Sequence, residues 1–377
     1  MSDGGIIQSF AHRSPSRTTA PAPPDNQLST VRRPATQILN PCEVPGWDAT
    51  IDRAPRASVF HGSAWMRVLS DTYAYRPCSI IAKVEGAAMG VLPLMEVDSW
   101  LTGRRGISLP FTDECPALSA TEGAAETLFE TACEEGRRRR WRYIELRGGQ
   151  PPRSGAPAAT TYYSHELRLD RAERELFERI DPSGRRAIRK AQQGALTIEI
   201  TRSIEGVNEF YALSRLTRRR LGVPPQPRAF FGNLQRLLLD RGHGFIVLAR
   251  TEQRPVAAAL FLHGNRSGLF KFGASDERYQ HLRPNNLVMW EGIKALSALG
   301  CETLDLGRTS LSNEGLRRFK LSWGTEERML NYFRYDCLAD RWLTAPDRSS
   351  GRHSAIFQRL PLPISELIGA LLYRHIA

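Results

Sequence analysis

Two stretches of this chain, beginning about 165 residues apart, run through the same order of secondary-structure signals, and that recurrence limits the fold more than any other feature. The first opens with a helical stretch, SAWMRVLSDTYA, followed by two strand-like runs, CSIIAKV and AAMGVLPLMEV, that turn at Glu85 and Gly86. RGISLPF, a helix AAETLFETACEEG and a strand RYIELRG complete it. The second has a helix RAFFGNLQRLLLD, strands GFIVLAR and PVAAALFLHG around a turn from Glu252 to Arg254, a strand SGLFKFGAS, a helix NNLVMWEGIKALSALG and a strand ETLDLGR. In that last helix Met289, Ile293 and Leu296 keep the 3,4 spacing of a buried stripe, and Gly300 is placed to end it. The element order, the turn position and the closing strands, YIELRG against TLDLGR, agree. A duplicated αβββαβ unit accounts for all three, giving two mixed α/β lobes with a cleft between them.

A chain of 377 residues also exceeds what one hydrophobic core usually holds. Residues 1–40, rich in Ser, Thr, Pro, Ala and Arg, read as a disordered tail, with order expected to begin near Trp47. The first lobe is expected over 41–170 and the second over 171–340, with an extension at 341–377. That extension ends in PLPISELIGALLYRHIA, whose Ile364, Leu367, Ile368, Leu371 and Leu372 have amphipathic spacing. Packing against its own domain is the expectation, and contact with a membrane surface the alternative.

The second lobe begins with a basic junction. In SGRRAIRKAQQGALTIEI, Arg185 and Arg189 lie one helical turn apart, as do Arg186 and Lys190, so one surface carries four cations. Such a run suits a solvated face or a phosphate-binding one. The formal charge of +12 favours anionic partners, but 47 of the 52 basic residues are arginine, which points to compositional bias. The six cysteines are scattered without a CxxC pair, against a zinc site or a disulfide framework and in favour of a reducing cytoplasm. No stretch approaches the ~20 apolar residues of a membrane span, so a soluble, cytosolic protein is expected.

In YQHLRPNNLVMWEG a polar turn runs straight into an apolar helix, the arrangement by which backbone amides at a helix N-terminus hold an anion. Together with its surroundings, GASDERYQHLRPNNLVMWEGIKA followed by LDLGRTSLSNEGLRRFKLSWG, it closely resembles the second acyltransferase domain of FemABX-like proteins and the related BioF2-like and CelD-like acetyltransferase domains, all of the GNAT superfamily. PNNLVMWEGIK and EGLRRFKLSWG carry most of the likeness. SGRRAIRKAQQGALTIEI and, more weakly, HGSAWMRVL and SLPFTDECPAL extend it over roughly residues 55–335.

The resemblance implies a pair of tandem GNAT-like lobes and transfer of an acyl or aminoacyl group to an amine. It implies acyl-CoA (acetyl-CoA) or aminoacyl-tRNA as donor and a cell-wall or exopolysaccharide precursor as acceptor. GNAT enzymes cradle the donor pyrophosphate in a loop of the form Q/R-x-x-G-x-G/A. The matching positions here run from Gln280 to Asn285, and Arg283 and Asn285 fill both glycine places. Amides cannot approach a pyrophosphate so closely past side chains, which argues against acyl-CoA bound in the usual manner.

Transfer to an amine needs a base, donors toward the developing oxyanion and a protonated leaving group, with no stored covalent intermediate. The absence of a GxSxG elbow and of a cysteine in a nucleophile motif fits direct attack, and no metal is implied. On this reading Asp113, in PFTDECP, is the general base, with Asp276 and Tyr279 able to orient the amine or supply a proton. Arg283, Asn285 as a helix cap, Asn286 and Lys320 are candidates for donor or substrate binding. Asp305 would act as a base if buried, but an ion pair with Arg308, itself a candidate for donor or substrate binding, is the expectation. By resemblance, Arg185, Arg189 and Lys190 contact acceptor phosphates.

Two other readings are weighed. RRRRWR (Arg137 to Arg142), Arg218 to Arg220 and the junction helix suggest nucleic-acid binding, although these runs are dispersed and lack interleaved aromatics. The filled glycine places also suit a catalytically idle scaffold.

Overall fold

A computed structural model describes residues 34–85, 87–344 and 354–376. Residues 1–33, where most of the expected tail falls, lie outside the described residues, as does Gly86 of the first turn. Order begins earlier than Trp47: β1 (Ala35–Leu39) pairs antiparallel with the strand Ser79–Val84, so the expected tail boundary at residue 40 is too late.

Along the first half follow α1 (Trp47–Ile51), α2 (Ser63–Tyr73), β2 (Arg76–Pro77), β3 (Ser79–Val84), β4 (Ala87–Leu92), β5 (Met95–Val97) and β6 (Arg105–Ile107). Then come β7 (Leu118–Ser119), α3 (Glu122–Arg138), β8 (Ile144–Arg147) and β9 (Thr160–Arg168). The second half contains α4 (Glu173–Arg179), α5 (Pro182–Gln193), β10 (Thr197–Thr201), α6 (Ile204–Arg220), α7 (Arg228–Leu234), β11 (Gly244–Thr251), β12 (Arg254–Gly264) and β13 (Ser267–Ser275). It continues with α8 (Pro284–Ala298), β14 (Thr303–Ser310), α9 (Glu314–Leu321), β15 (Glu326–Asp336), β16 (Arg341–Leu343), α10 (Ser354–Arg359) and α11 (Leu362–Leu372).

The strands form a small sheet, β1-β3-β4-β7, and a large mixed one, β10-β11-β12-β13-β14-β9-β15-β8-β6-β5-β2, with β16 beside β15. AAMGVLPLMEV, expected as one strand, is two, because Pro93 lacks the N–H that a ladder needs; β4 stays in the small sheet and β5 joins the large one. The duplication shows in the parallel pairs: β13 and β14 flank α8 as β6 and β8 flank α3. β9 lies against β14, β15 lies against β8, and β9 and β15 pair with each other. The last strand of each half is thus seated on the other half, about a pseudo-twofold between β9 and β15.

Alternation along β11 and β12 sends successive side chains to opposite faces. Ile246, Leu248, Leu260 and Leu262 join a core with Trp65, Phe210, Phe230 and Phe231 of α2, α6 and α7. Phe245, Val247, Ala259 and Phe261 join the other, with Ile188 of α5 and Val288, Met289 and Ile293 of α8. Both faces are covered, which is why these strands read as unbroken apolar runs. Helix α8 is buried on most of its circumference and sits so close to β12 that a Cβ at Gly292 would lie 2.1 Å from the Phe261 ring.

Helix α11 packs on its own domain, but chiefly through Ser365 and Gly369, the latter against the Pro225 carbonyl; of its apolar stripe Ile368 and Leu372 are half-buried, while Ile364, Leu367 and Leu371 point to solvent.

Candidate functional site

The strands β13 and β14 pair only through Ser267 to Thr303, Gly268 to Leu304 and Leu269 to Asp305. Beyond that point β13 runs on to Ser275 and β14 to Ser310 without pairing to each other, so the sheet splits into a wedge. Both strands are irregular where the split begins. Opposite β12, Leu260 faces Phe272 and Phe261 faces Phe270, which leaves Lys271 as an extra, bulged residue. Opposite β9, Asp305 faces Glu166 and Arg308 faces Ser164, which places one extra residue at Leu306 and Gly307. Bulges re-aim side chains and recur beside active sites.

Into this split comes the segment from Ser108 to Cys115. Leu109 and Phe111 both have left-handed backbones, φ 59° and 58°, an uncommon strain for side chains of this size. The strain is held by many fixed contacts. Arg147 Nη1 donates to the Leu109 and Thr112 carbonyls at 3.2 and 3.1 Å, Lys271 Nζ donates to the Phe111 carbonyl at 2.6 Å, and the Tyr332 hydroxyl donates to the Asp113 carbonyl. The buried Glu145 in turn fixes Arg147 and Arg334, and its carboxyl is held below the usual range because their charges outweigh its burial.

The segment brings Asp113 to the second lobe. Its Oδ1 lies 3.6 Å from Arg308 Nε, and its Oδ2 would lie 2.8 Å from a Cβ on Gly307, whose φ is +74°. Only glycine accommodates that turn and that approach together. Arg308 lies over the rings of Tyr162 and Tyr332 at 4.5 and 5.2 Å. The ion pair expected between Asp305 and Arg308 is therefore made by Asp113 instead. Asp305 accepts the Gly307 N–H at 2.7 Å, the turn that the bulge creates.

That exchange sets the electrostatics. Burial, and then the nearby charge of Asp113, push the Asp305 carboxyl up to about 7. Lys320 reaches in from α9 and donates to the Gly307 and Arg308 carbonyls at 2.6 and 2.9 Å; burial brings its ammonium down to about 8. The Lys271 ammonium, ringed by Phe60, Trp65 and Phe272 at 5.1 to 5.3 Å, is also lowered by burial. A carboxyl and an ammonium that both titrate near neutrality at the mouth of a split sheet can exchange protons with a bound amine.

Of the sequence-predicted residues, Asp113, Arg308 and Lys320 converge here. The others occupy two further places. Asp276 follows β13, caps the next 3-10 turn and is clasped by Arg278, which holds its carboxyl below the usual range; that leaves it a structural cap rather than a base. Tyr279 lies on the same turn, partly packed on the α8 core. Arg283, not Asn285, precedes the first turn of α8, with Pro284 opening the helix; Asn285 Nδ2 donates to Ser275 Oγ at 3.3 Å and Asn286 follows in the first turn. Arg283 has φ 58° and ψ 37°, so an arginine adopts the left-handed turn that glycine supplies elsewhere, its side chain exposed. Helix α5 packs against α8 through Ile188, with Lys190 exposed, Arg185 half-buried and Arg189 over the Phe177 ring at 5.3 Å.

Lys271 was missed by the sequence reading, although the rarity of lysine that singled out Lys320 applies to it equally. The roles of Tyr162, Tyr332 and Arg147 had no such signal.

Among the described residues no cluster of His, Cys, Asp and Glu is arranged to hold a metal ion. The family model described as acetyltransferase (GNAT) domain matches residues 183–325, from the start of α5 to the residue before β15. Over this stretch the chain is similar to GNAT acetyltransferase domains. Solved structures extend the likeness to the whole fold. FemX is 14% identical at a TM-score of 0.63, over 79% of this chain and 96% of that one. A tandem GNAT protein from the clavulanic acid biosynthesis pathway is 12% identical at 0.52, over 80% and 98%. L-PGS from Bacillus licheniformis is 11% identical at 0.51, over 87% and 96%. No curated protein matches this chain significantly. The fold is shared with FemX and with the tandem GNAT protein, and the stretch matched by the family model carries Lys271, Asp305, Arg308 and Lys320, while Asp113 comes from the other half.

Proposed function

We propose that the protein is an N-acyltransferase that passes an acyl or aminoacyl group to an amine by direct attack in the wedge between β13 and β14. The observation that carries this reading is Asp305, a carboxyl raised to about 7 at the point where the strands part. A base of that strength can take the proton of an attacking ammonium near neutral pH, and Lys320, at about 8, can return one to the leaving group. Asp113, paired with Arg308, serves to position that arginine and to raise Asp305 rather than to abstract the proton itself.

The donor is acyl-CoA or aminoacyl-tRNA, and both present phosphates. The left-handed turn at Arg283 supports an approach to the first-turn amides of α8, with the exposed guanidinium as a further contact. A precursor of the cell envelope or of an exopolysaccharide, its phosphates met by Arg185, Arg189 and Lys190, is the acceptor class that the FemX-like fold suggests. The test incubates the purified protein with labelled acetyl-CoA and, separately, with charged tRNA, each over a series of amine acceptors. Transfer from one donor, with kcat/KM rising through pH about 7 and lost in Asp305→Asn by at least about a hundredfold, is expected. Transfer that Asp305→Asn leaves intact would remove the assignment of the base; binding of neither donor would remove the enzymatic reading altogether.

A further inference from the structure

The C-terminal helices are built the wrong way round for a segment that only completes its own domain. In α11 the small residues Ser365 and Gly369 face inward, and Gly369 sits where a Cβ would lie 2.1 Å from the Pro225 carbonyl oxygen. Leu362, Ile368 and Leu372 are half-buried, but a line of apolar residues faces out: Leu367 is 62% exposed, with Ile364, Leu371 and, on α10, Ile356 also open to solvent. Small residues let the helix backbone lie close to its support, so this orientation is specified by packing, and the apolar side remains unpartnered among the described residues.

Two features adjoin that side. At its far end His375 is fixed by Ser99 and its carbonyl by Arg105, and Trp100, 86% exposed, stands edge-on to the His375 ring at 5.4 Å. At the other end Gln358 of α10 donates to the Arg220 carbonyl, which places the C-terminus of α6, with Arg219 and Arg220 exposed, beside the patch. Arg359 and Arg374 are exposed within it. The carboxylates nearby are already engaged: Glu366 by Arg215 and Tyr211, Asp98 by Arg104. Exposed leucine and isoleucine, an exposed tryptophan and arginines with no free acid beside them among the described residues are the surface that an anionic bilayer interface accepts.

We infer that the outward face of α10 and α11, with Trp100, is a docking surface for an anionic lipid bilayer. Charge decides between this occupant and others. A second copy of the chain would bring like-charged arginines together across a twofold. Residues 1–33 hold four arginines against two aspartates, and residues 345–353 two against one, so neither complements the patch. Among the described residues no helix is long and apolar enough to cross a membrane, so the contact is peripheral. It lies close to the site, because Tyr373, at the end of α11, packs on Phe111 at 5.7 Å in the segment that carries Asp113. The docking claim stands apart from the proposed chemistry.

The experiment co-sediments the full-length protein with vesicles of phosphatidylcholine alone or of phosphatidylcholine with phosphatidylglycerol. Binding to the anionic vesicles only, weakened by salt, is expected. Leu367→Glu with Leu371→Glu should lower it by about tenfold or more, and Arg359→Glu with Arg374→Glu by a similar factor. Circular dichroism should show both variants folded, and transfer to a soluble amine should be unchanged in both. Equal binding by wild type and both variants would overturn the inference. So would no binding of wild type to either vesicle, or a dimer in sedimentation equilibrium that Leu367→Glu with Leu371→Glu splits.

Discussion

At the scale of single residues the site turns on which aspartate meets Arg308. Asp113 does, and Asp305 is left with a backbone N–H and a raised pKa. The consequence for stability has a definite sign. Because the folded-state value of Asp305 lies above its unfolded value of 3.8, its contribution is present below pH 4 and is lost as pH rises through about 7. Asparagine keeps the acceptor for Gly307 but carries no charge. Asp305→Asn should therefore match wild type near pH 4 and exceed it near pH 8 by about 1–3 kcal/mol, measured by urea unfolding. Sequence placed Asp305 and Arg308 three residues apart at a strand end, and on an unbroken strand their roles are not distinguishable. The bulge at Leu306 and Gly307, which redirects both, depends on pairing with β9 and leaves no local trace. Asp113 came to notice only through the resemblance of its PFTDECP segment to a substrate-facing loop, and as a general base, whereas the structure pairs it with Arg308.

Among the elements, those with strong periodicity were readable and those defined by partners were not. Helices α2, α3 and α8 and strands β11 to β14 appear where the apolar spacing puts them. Strands β9 and β15 did not register, because their many polar and charged residues mask the few buried ones, Leu167 on β9 and Leu330, Tyr332, Phe333 and Tyr335 on β15. The first turn of α8 shows how local chemistry can mislead: filled glycine places suggested a closed loop, yet Arg283 takes the left-handed conformation regardless. A non-glycine residue pays about 1 kcal/mol there. Arg283→Gly is thus expected to be more stable than Arg283→Ala by about that amount in thermal unfolding. Both should bind the donor about tenfold or more weakly than wild type by calorimetry, since each loses the guanidinium.

For the whole molecule, the exchange of β9 and β15 joins the two halves through the large sheet. The expected boundary at residue 170 falls just after β9, so cutting there would separate that strand from β14, and β15 from β8. Residues 34–170 expressed alone should lack a cooperative melting transition, and so should 171–376, whereas the intact chain should unfold in one transition by calorimetry. Duplication itself was visible in the order of elements; the exchange was not, since a strand carries no mark of which sheet will take it.

That exchange also orders events in time. A ribosome delivers Asp113 long before Asp305, and β8 long before the β15 that borders it, so the early half leaves the exit tunnel with one edge of its sheet open. Until residue 336 emerges the nascent chain lacks a closed seam, and chains arrested short of that point should be far more sensitive to protease than chains arrested a few turns beyond it.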